Sequence, residues 1–277
     1  QGIYNPDKTL PENLKIIQID DNPWEIGKNY PVDCGIQGDV KTSLSELNQA
    51  IEGNMPAGFL SEAKLRATEI AVQRAGIDDQ LKKQVEAEWD NSPVSISRLM
   101  TEIKKVVTPD TVIVDDCWSS SGMLRKTLDL TEHKSFYRAR QGGSIGWGLP
   151  GALGVKLGSP DKKVLAVSGD GSASWSMQSL WNAARYKIPV TYVITNNATY
   201  RQVKLVRKMI LGDYPLNEQH DGMELDKPVI NFSQLAESMG VKGERVERPE
   251  DLGQALKTAM DSGEPRLVEV VVESTPS

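Results

Sequence analysis

The sequence has few of the side chains that many enzymes use for catalysis, since only two of its 277 residues are histidines and two are cysteines. His133 and His220 leave few candidates for acid–base catalysis by imidazole. Cys34 and Cys117 lie far apart and match no metal-binding spacing, which fits a reducing cytoplasm better than a disulfide-bonded secreted protein. No apolar run approaches the ~20 residues of a membrane-spanning helix. We therefore expect a cytoplasmic protein.

Negative charge moderately exceeds positive charge, with 38 Asp and Glu against 32 Lys and Arg. The formal net charge is −6, and no basic tract interrupts the sequence. A chain without a basic tract has no cluster of positive charge that would bind nucleic acid or an anionic membrane surface. Hydrophobic residues make up 39% and charged residues 25%, which is typical of a globular chain.

Two polar motifs organise the chain, each directly after an apolar segment. Residues 169–172 read Gly-Asp-Gly-Ser, and residues 196–199 read Asn-Asn-Ala-Thr. Asn197 follows Asp170 by 27 residues, which is room for one helix and one returning strand. This spacing predicts a right-handed βαβ unit whose two strands lie near each other in a parallel sheet. Both motifs would then lie at strand carboxyl ends, where open α/β sheets bind ligands.

The residue types in these motifs indicate a metal-bridged diphosphate site. Asp170 offers an anionic oxygen, Asn197 an amide oxygen and the backbone carbonyl of Thr199 a third oxygen. Three oxygens with open positions suit Mg²⁺ or Ca²⁺, and Mg²⁺ commonly completes its octahedron with phosphate and water. Gly169 and Gly171 allow a phosphate to approach the backbone at the start of a helix. The alternative is that both motifs are ordinary turns.

The paired motifs resemble the signature of the thiamine-diphosphate-dependent enzymes, GDG followed after some 25 to 30 residues by NN. Within that family, the segment GDGSASWSMQSLWNAARYKIPVTYVITNNATYRQV is most similar to benzoylformate decarboxylase and its acetolactate-synthase-like relatives. The resemblance extends more loosely over essentially the whole chain. It implies two cofactors, thiamine diphosphate and Mg²⁺.

A glycine-rich stretch at residues 142–151 admits three interpretations. Gly146 to Gly151 match the GxGxxG dinucleotide fingerprint, and Asp170 lies 22 residues beyond Gly148, near where a ribose-binding acid belongs. The strand before it is short, and Pro150 stands where the helix has barely begun. The family resemblance instead implies that this turn lies under the cofactor rings.

The resemblance also assigns roles within that turn. It implies that Ile145 forces the bent cofactor shape and that the Gly143 carbonyl accepts from the exocyclic amine. Ser144 departs from the glycine of some relatives. A plain glycine-rich helix start, with Ile145 in the core, is the alternative.

A serine-rich turn provides a further phosphate candidate. Ser119 and Ser120 follow a strand end and precede a helix, so their hydroxyls and amides are placed to hold diphosphate oxygens. An N-cap serine is the alternative. Trp118 stands where the family has a small hydroxyl residue. Residues and resemblance together predict a metal site of Asp170, Asn197 and Thr199, and a cofactor site of Ser119, Ser120, Gly143, Ser144, Ile145, Gly169, Asp170, Gly171, Ser172, Asn197, Thr199 and Tyr200.

Strand–helix alternation after residue 92 predicts an α/β fold. We expect a doubly wound, mainly parallel six-stranded sheet with helices on both faces over residues 92–277, the thiamine-diphosphate-binding domain. The first 55 residues resemble the end of the family's middle domain, a partial α/β unit. Residues 56–91 predict a charged helical linker, with Gly76 as a break.

The chain begins at Gln1 inside a polar, turn-rich stretch, and its first strands are too few for a core of their own. We therefore expect a fragment of a longer enzyme. The family's glutamate that activates the cofactor lies in an N-terminal domain, usually donated by a second subunit. No residue here matches that motif, so we expect no catalytic residue in this chain and no activity from the chain alone.

The resulting hypothesis is decarboxylation of a small 2-oxo acid by a homodimer or homotetramer, with the cofactor as electron sink. An acetolactate-synthase-like carboligase is the first alternative. An NAD-dependent dehydrogenase and a non-catalytic cofactor-binding subunit are the others.

Overall fold

The computed structural model describes residues 10–11, 13–139, 143–212, 215–216 and 218–274. The chain divides into two compact units, one through Asp78 and one from Asp79 onward. Over the described ranges, no helix is both long enough and apolar enough to cross a bilayer.

The first unit carries a pair of parallel strands and a helix. Strand β1 (Ile17–Asp20) pairs with β2 (Cys34–Gln37), and helix α1 (Val40–Gly53) follows. Asp39 caps this helix, since its carboxylate accepts the Thr42 N–H at 2.8 Å. The two strands predicted here therefore exist, with the first shifted toward its carboxyl end.

Helix α2 runs unbroken from Phe59 to Glu88, and the division between the units falls within it. The predicted break at Gly76 is wrong. A glycine costs a helix only about 1 kcal/mol relative to alanine, and the flanking ion pair from Arg74 to Asp78, at 2.9 Å, offsets part of that cost. The predicted domain boundaries at residues 55 and 91 stay predictions.

The second unit alternates strands and helices. Its strands are β3 (Thr111–Asp116), β4 (Phe136–Arg138), β5 (Lys163–Gly169), β6 (Thr191–Asn196), β7 (Lys242–Val246) and β8 (Arg266–Val271). Its helices are α3 (Ile96–Val106), α4 (Ser121–Thr127), α5 (Gly148–Gly158), α6 (Asp170–Ala173), α7 (Ser179–Arg185), α8 (Arg201–Leu211), α9 (Phe232–Ser238) and α10 (Leu252–Asp261), with a 3₁₀ turn at Pro249–Asp251.

The six strands form one parallel sheet in the order β4-β3-β5-β6-β8-β7. The predicted fold class and strand number are confirmed. Strands β5 and β6 are direct neighbours, with Gly169 beside Thr195 at their carboxyl ends. The two polar motifs therefore emerge side by side, as the βαβ spacing predicted.

Each face of the sheet is covered by its own core. On β3, Ile113 joins a core with α3, α4 and α10, whereas Val112 and Val114 join a core with α5, α7 and α9. This alternation is the period of two that a strand imposes. Each large apolar side chain so buried contributes about 1.5–3 kcal/mol, and the two cores fix the strands that carry the site.

The connection from β5 to β6 differs from the single helix predicted. A short helix, α6, occupies Asp170–Ala173, and a separate helix, α7, starts at Ser179. The N–H of Ser176 donates to the Ala173 carbonyl at 3.1 Å in the turn between them. The chain consequently bends at the motif before it crosses the sheet.

Candidate functional site

Asp170 occupies the position expected of a metal ligand, at the start of α6 where β5 ends. Its side chain is 4% exposed, and its Oδ1 accepts the Gly171 N–H at 2.8 Å. Its Oδ2 is buried without a hydrogen-bond partner among the described residues. Burial raises the pKa of Asp170 to about 7, although N–H groups of Gly171, Ala198, Asn197 and Thr199 act in the opposite direction. The two motifs therefore meet at this carboxylate.

The Asn-Asn loop is held by its own side chains. Ala198 has a positive φ of 55°, and its N–H donates to Asn196 Oδ1 at 3.2 Å. Asn197 Oδ1 accepts the Thr199 N–H at 3.2 Å. The Thr199 carbonyl accepts the Arg201 N–H at 2.9 Å and retains a second lone pair. The two oxygens predicted as ligands, Asn197 Oδ1 and the Thr199 carbonyl, therefore lie in a turn that is held by hydrogen bonds.

The two adjacent asparagines have different tasks. Asn196 Nδ2 donates to the Ile230 carbonyl at 3.0 Å and to Glu269 Oε1 at 2.7 Å. Glu269 is fully buried and also pairs with Arg245. Asn196 therefore belongs to a buried polar network that anchors the end of β6. Asn197, one residue later, is left for the site.

Gly171 brings the first motif against the second. A Cβ on this residue would lie 2.5 Å from the ring of Tyr200. That separation is shorter than any tolerated contact, so only glycine lets the aromatic ring pack on the turn. Gly169, in contrast, has room for a Cβ, with Thr195 Oγ1 3.9 Å away.

The glycine-rich turn is anchored by Asp116, which sequence reasoning did not select. Asp116 Oδ2 accepts the N–H groups of Gly146 at 3.0 Å and Gly148 at 3.1 Å. Gly146 has a φ of 87°, and a Cβ there would lie 2.6 Å from Trp175 Cβ. Burial raises the pKa of the Asp116 carboxyl. The signal that could have identified Asp116 from the sequence is its place at the end of a buried strand.

The remaining residues of that turn face outward to differing degrees. Gly143, with a φ of 59°, and Ser144 are exposed, whereas Ile145 is half-buried. A Cβ on Gly143 would lie 3.8 Å from the Trp118 ring, so this turn adjoins the serine-rich turn. Gly142 lies outside the described residues. The partial exposure of Ile145 leaves it available to a ligand, and its predicted role stays a prediction.

The serine-rich turn leaves β3 beside the other two motifs. Ser119 is half-buried and Ser120 is buried, at the N-cap position of α4. Ser120 makes no side-chain capping bond, and its N–H donates to the Cys117 carbonyl at 2.7 Å. Ser121 instead holds the turn, through a short hydrogen bond to Asp115. The two predicted serines are therefore not used as caps.

The serine-rich, Gly-Asp-Gly and Asn-Asn turns follow the carboxyl ends of β3, β5 and β6, which are consecutive in the sheet. The glycine-rich turn follows β4 and is bonded to Asp116 at the end of β3. Within the described part of the chain, no three histidine, cysteine or acidic side chains cluster to hold a metal ion. A metal here would therefore rely on one carboxylate, an amide oxygen, a carbonyl and ligand oxygens, which is a set that suits Mg²⁺. Ser172 is buried within the same α6 turn.

Comparisons with known proteins concern the family and the fold. Residues 119–270 match the family model of the thiamine pyrophosphate enzyme C-terminal TPP binding domain, and residues 1–47 match that of the central domain. A structure of the thiamine diphosphate-dependent 4-hydroxybenzoylformate decarboxylase of Rhodococcus jostii RHA1 is 34% identical, with a TM-score of 0.62. That match covers 68% of this chain and 34% of the other chain.

Curated relatives include both decarboxylases and carboligases. A probable acetolactate synthase large subunit of Methanococcus aeolicus is 28% identical over 96% of this chain, which spans 44% of that relative. The benzoylformate decarboxylase of Pseudomonas aeruginosa is 26% identical over 98% of this chain, which spans 46% of it. The chain thus spans less than half the length of these relatives.

Proposed function

The chain belongs to the thiamine pyrophosphate enzyme family, and we propose that it supplies the diphosphate and Mg²⁺ site of an enzyme that decarboxylates a 2-oxo acid. The resemblance to the Rhodococcus decarboxylase supports this reaction, because it combines 34% identity with a similar fold. The substrate class is the 2-oxo acids, with aromatic members such as benzoylformate as the first to test.

One observation carries the metal part of the proposal: Asp170 Oδ2 is buried and has no hydrogen-bond partner in the described part of the chain. An acceptor in that state is costly to leave unmatched, and a cation would satisfy it. Asn197 Oδ1 and the Thr199 carbonyl lie on the loop whose amides surround the same carboxylate. These three oxygens would hold Mg²⁺, and the metal would join them to diphosphate oxygens.

The other turns have separate tasks in this proposal. Ser119 and Ser120 would hold the diphosphate through hydroxyl and amide groups, and Gly169 leaves the backbone open to it. Ile145, half-buried on the glycine-rich turn, would support the rings from below. When bound, thiamine diphosphate supplies the nucleophilic carbon and the electron sink for loss of CO₂. The residues of these turns would position that group.

No residue of this chain is proposed as the acid or base. We propose that an activating glutamate outside this chain, on another segment or subunit of a homo-oligomer, completes the site. The 277-residue chain by itself is therefore expected to bind the cofactor weakly and to release no CO₂.

Calorimetry of the full-length protein with thiamine diphosphate and Mg²⁺ tests the site. Asp170→Ala should weaken cofactor binding at least tenfold, since no neighbouring group replaces the anionic ligand. Lys257→Ala, on the exposed face of α10, is the matched control and should bind as the wild type does. Equal affinity of Asp170→Ala and wild type would remove Asp170 from the site.

Carboligation is the second candidate, because relatives such as the acetolactate synthase large subunit and the glyoxylate carboligase of Escherichia coli O157:H7 cover most of this chain. Supplying the full-length protein with benzoylformate or pyruvate and measuring CO₂, aldehyde and acyloin separates the two. Aldehyde in equal amount to CO₂ supports the decarboxylase, and an acyloin product supports the carboligase.

A further inference from the structure

A segment that follows helix α8 is hydrogen-bonded to the Asn-Asn loop. We call residues 218–226 the strap. The Leu225 N–H donates to the Ala198 carbonyl at 2.8 Å, and the Tyr200 N–H donates to the Met223 carbonyl at 2.8 Å. Thr199 Oγ1 donates to the same Met223 carbonyl at 2.9 Å. The strap therefore brackets Thr199, whose carbonyl is the third proposed metal ligand.

An ion pair between a buried lysine and a partly buried glutamate links the strap to helix α8. Lys204 is only 4% exposed, and its Nζ lies 2.6 Å from Glu224 Oε1. The same ammonium donates to the Glu218 carbonyl at 3.1 Å, and the His220 N–H donates to Glu224 Oε1 at 2.9 Å. The Lys204 ammonium thus contacts the strap at two points, the Glu224 carboxylate and the Glu218 carbonyl. Lys204 itself follows Thr199 by five residues in the sequence.

The position of Glu224 connects this pair to the loop directly. Its backbone forms an isolated antiparallel bridge with Thr199. Lys204 is tied to the other side of the loop, since its N–H donates to the Tyr200 carbonyl at 3.2 Å. The ion pair therefore joins two pieces of chain that are both bonded to the loop, and a shift of either would move the Thr199 backbone.

The pair is well suited to fix a position rather than to add stability. A buried ion pair gains little over an apolar pair of similar volume, because both charges lose their hydration. It does impose a short distance and a direction, which an apolar contact does not. Removing Lys204 leaves the partly buried Glu224 carboxylate without its cation, and the strap then loses this attachment to α8.

We propose that Lys204 and Glu224 are positioning residues that hold the Thr199 carbonyl in place and thereby set the affinity of the site for a divalent cation. This inference rests on the proposed function, since it takes the Thr199 carbonyl as a metal ligand. Neither side chain touches the metal in this arrangement.

Hydrogen exchange of the metal-free, full-length protein tests whether the ion pair holds the loop and the strap together. Lys204→Met keeps the length of the side chain and removes its charge. The amides of Tyr200 and Leu225 should exchange at least tenfold faster in this variant, because their bonds join loop and strap. Lys257→Met is the control, since it removes an exposed ion pair to Asp261 at 3.4 Å. Exchange at the wild-type rate in Lys204→Met would overturn the proposal.

Binding of Mn²⁺ in the presence of thiamine diphosphate, measured by electron paramagnetic resonance, tests whether the ion pair sets the affinity for a divalent cation. Lys204→Met should bind Mn²⁺ some 10–100-fold more weakly than the wild type, the usual effect of losing a residue that orients a ligand. Lys257→Met should bind like the wild type. If Lys204→Met does not fold, Lys204→Met/Glu224→Leu removes both charges together and should show the same weakening.

The outcomes separate this inference from the proposed function. If the wild type binds Mn²⁺ and Asp170→Ala does not, while the folded Lys204 variants bind like the wild type, the metal site stands and the positioning role is overturned. If the wild type binds no Mn²⁺, the proposed function and the positioning role both fail. Faster exchange together with weaker Mn²⁺ binding supports both.

Discussion

The metal-free protein should lose stability as the pH rises through the acidic range, because of Asp170. The unfolded chain releases this proton near the ordinary value of 3.8, whereas burial raises the pKa in the folded protein to about 7. Between these values the folded state binds more protons than the unfolded state, so the free energy of unfolding falls as the pH rises. The loss is complete about one unit above the folded-state pKa.

The size of this effect follows from the two pKa values. A difference of roughly three pKa units corresponds to about 4 kcal/mol at 1.36 kcal/mol per unit. Part of that loss occurs below pH 5, so the change between pH 5 and pH 8 is roughly 2.5 kcal/mol. Asp170→Asn has nearly the same shape and no ionisable group at this position, so it should not show this part of the pH dependence.

Urea unfolding of the metal-free, full-length wild type and Asp170→Asn at pH 5 and pH 8 measures the effect. The difference between the two proteins isolates Asp170, because other groups with raised pKa values, such as Asp116 and Glu273, contribute equally to both. Saturating Mg²⁺ and thiamine diphosphate should remove the penalty in the wild type alone, since they bind the ionised carboxylate. Identical pH dependence in the two metal-free proteins would refute this reasoning.

Three further predictions concern neighbouring residues. Gly171→Ala should lower stability by about 1–3 kcal/mol in thermal unfolding, because its Cβ has no room, whereas Gly154→Ala, with open space around it, should be neutral or stabilising. Asn196→Ala should cost about 1–3 kcal/mol of stability by taking a donor from a buried carboxylate, whereas Asn197→Ala, which removes the loop bond to the Thr199 N–H, should cost less stability and weaken Mn²⁺ binding. Ile145→Ala should lower turnover at saturating cofactor with Mg²⁺ affinity intact; unchanged turnover would make it ordinary core.

Much of the fold could be predicted because its signals are local. Apolar segments of strand length, each followed by a turn and a helix, indicate a parallel sheet without knowledge of any contact. The neighbouring positions of the Gly-Asp-Gly and Asn-Asn turns followed from the handedness of one βαβ unit. The break at Gly76 was wrong because helix continuity is a balance of small terms, and a single glycine did not decide it.

The contacts that hold the site could not be predicted, since they join residues far apart in the sequence. Asp116 bonds the N–H of Gly146, 30 residues away, and the strap reaches Thr199 from beyond α8. The sequence shows which side chains have the chemistry for such bonds, but not which partner is within reach.

Two pairs of identical neighbours show how the strands divide structural and binding tasks. Asp115 and Asp116 end β3, and Asn196 and Asn197 end and follow β6. Successive residues of a strand point to opposite faces, so neighbours of the same type meet different surroundings. In each pair the first residue enters a buried network, as Asp115 does with Ser121, and the second faces the turns of the site. The two members of a pair are therefore not equivalent, since a substitution at the first position removes a bond of the buried network, whereas one at the second removes a contact of the site.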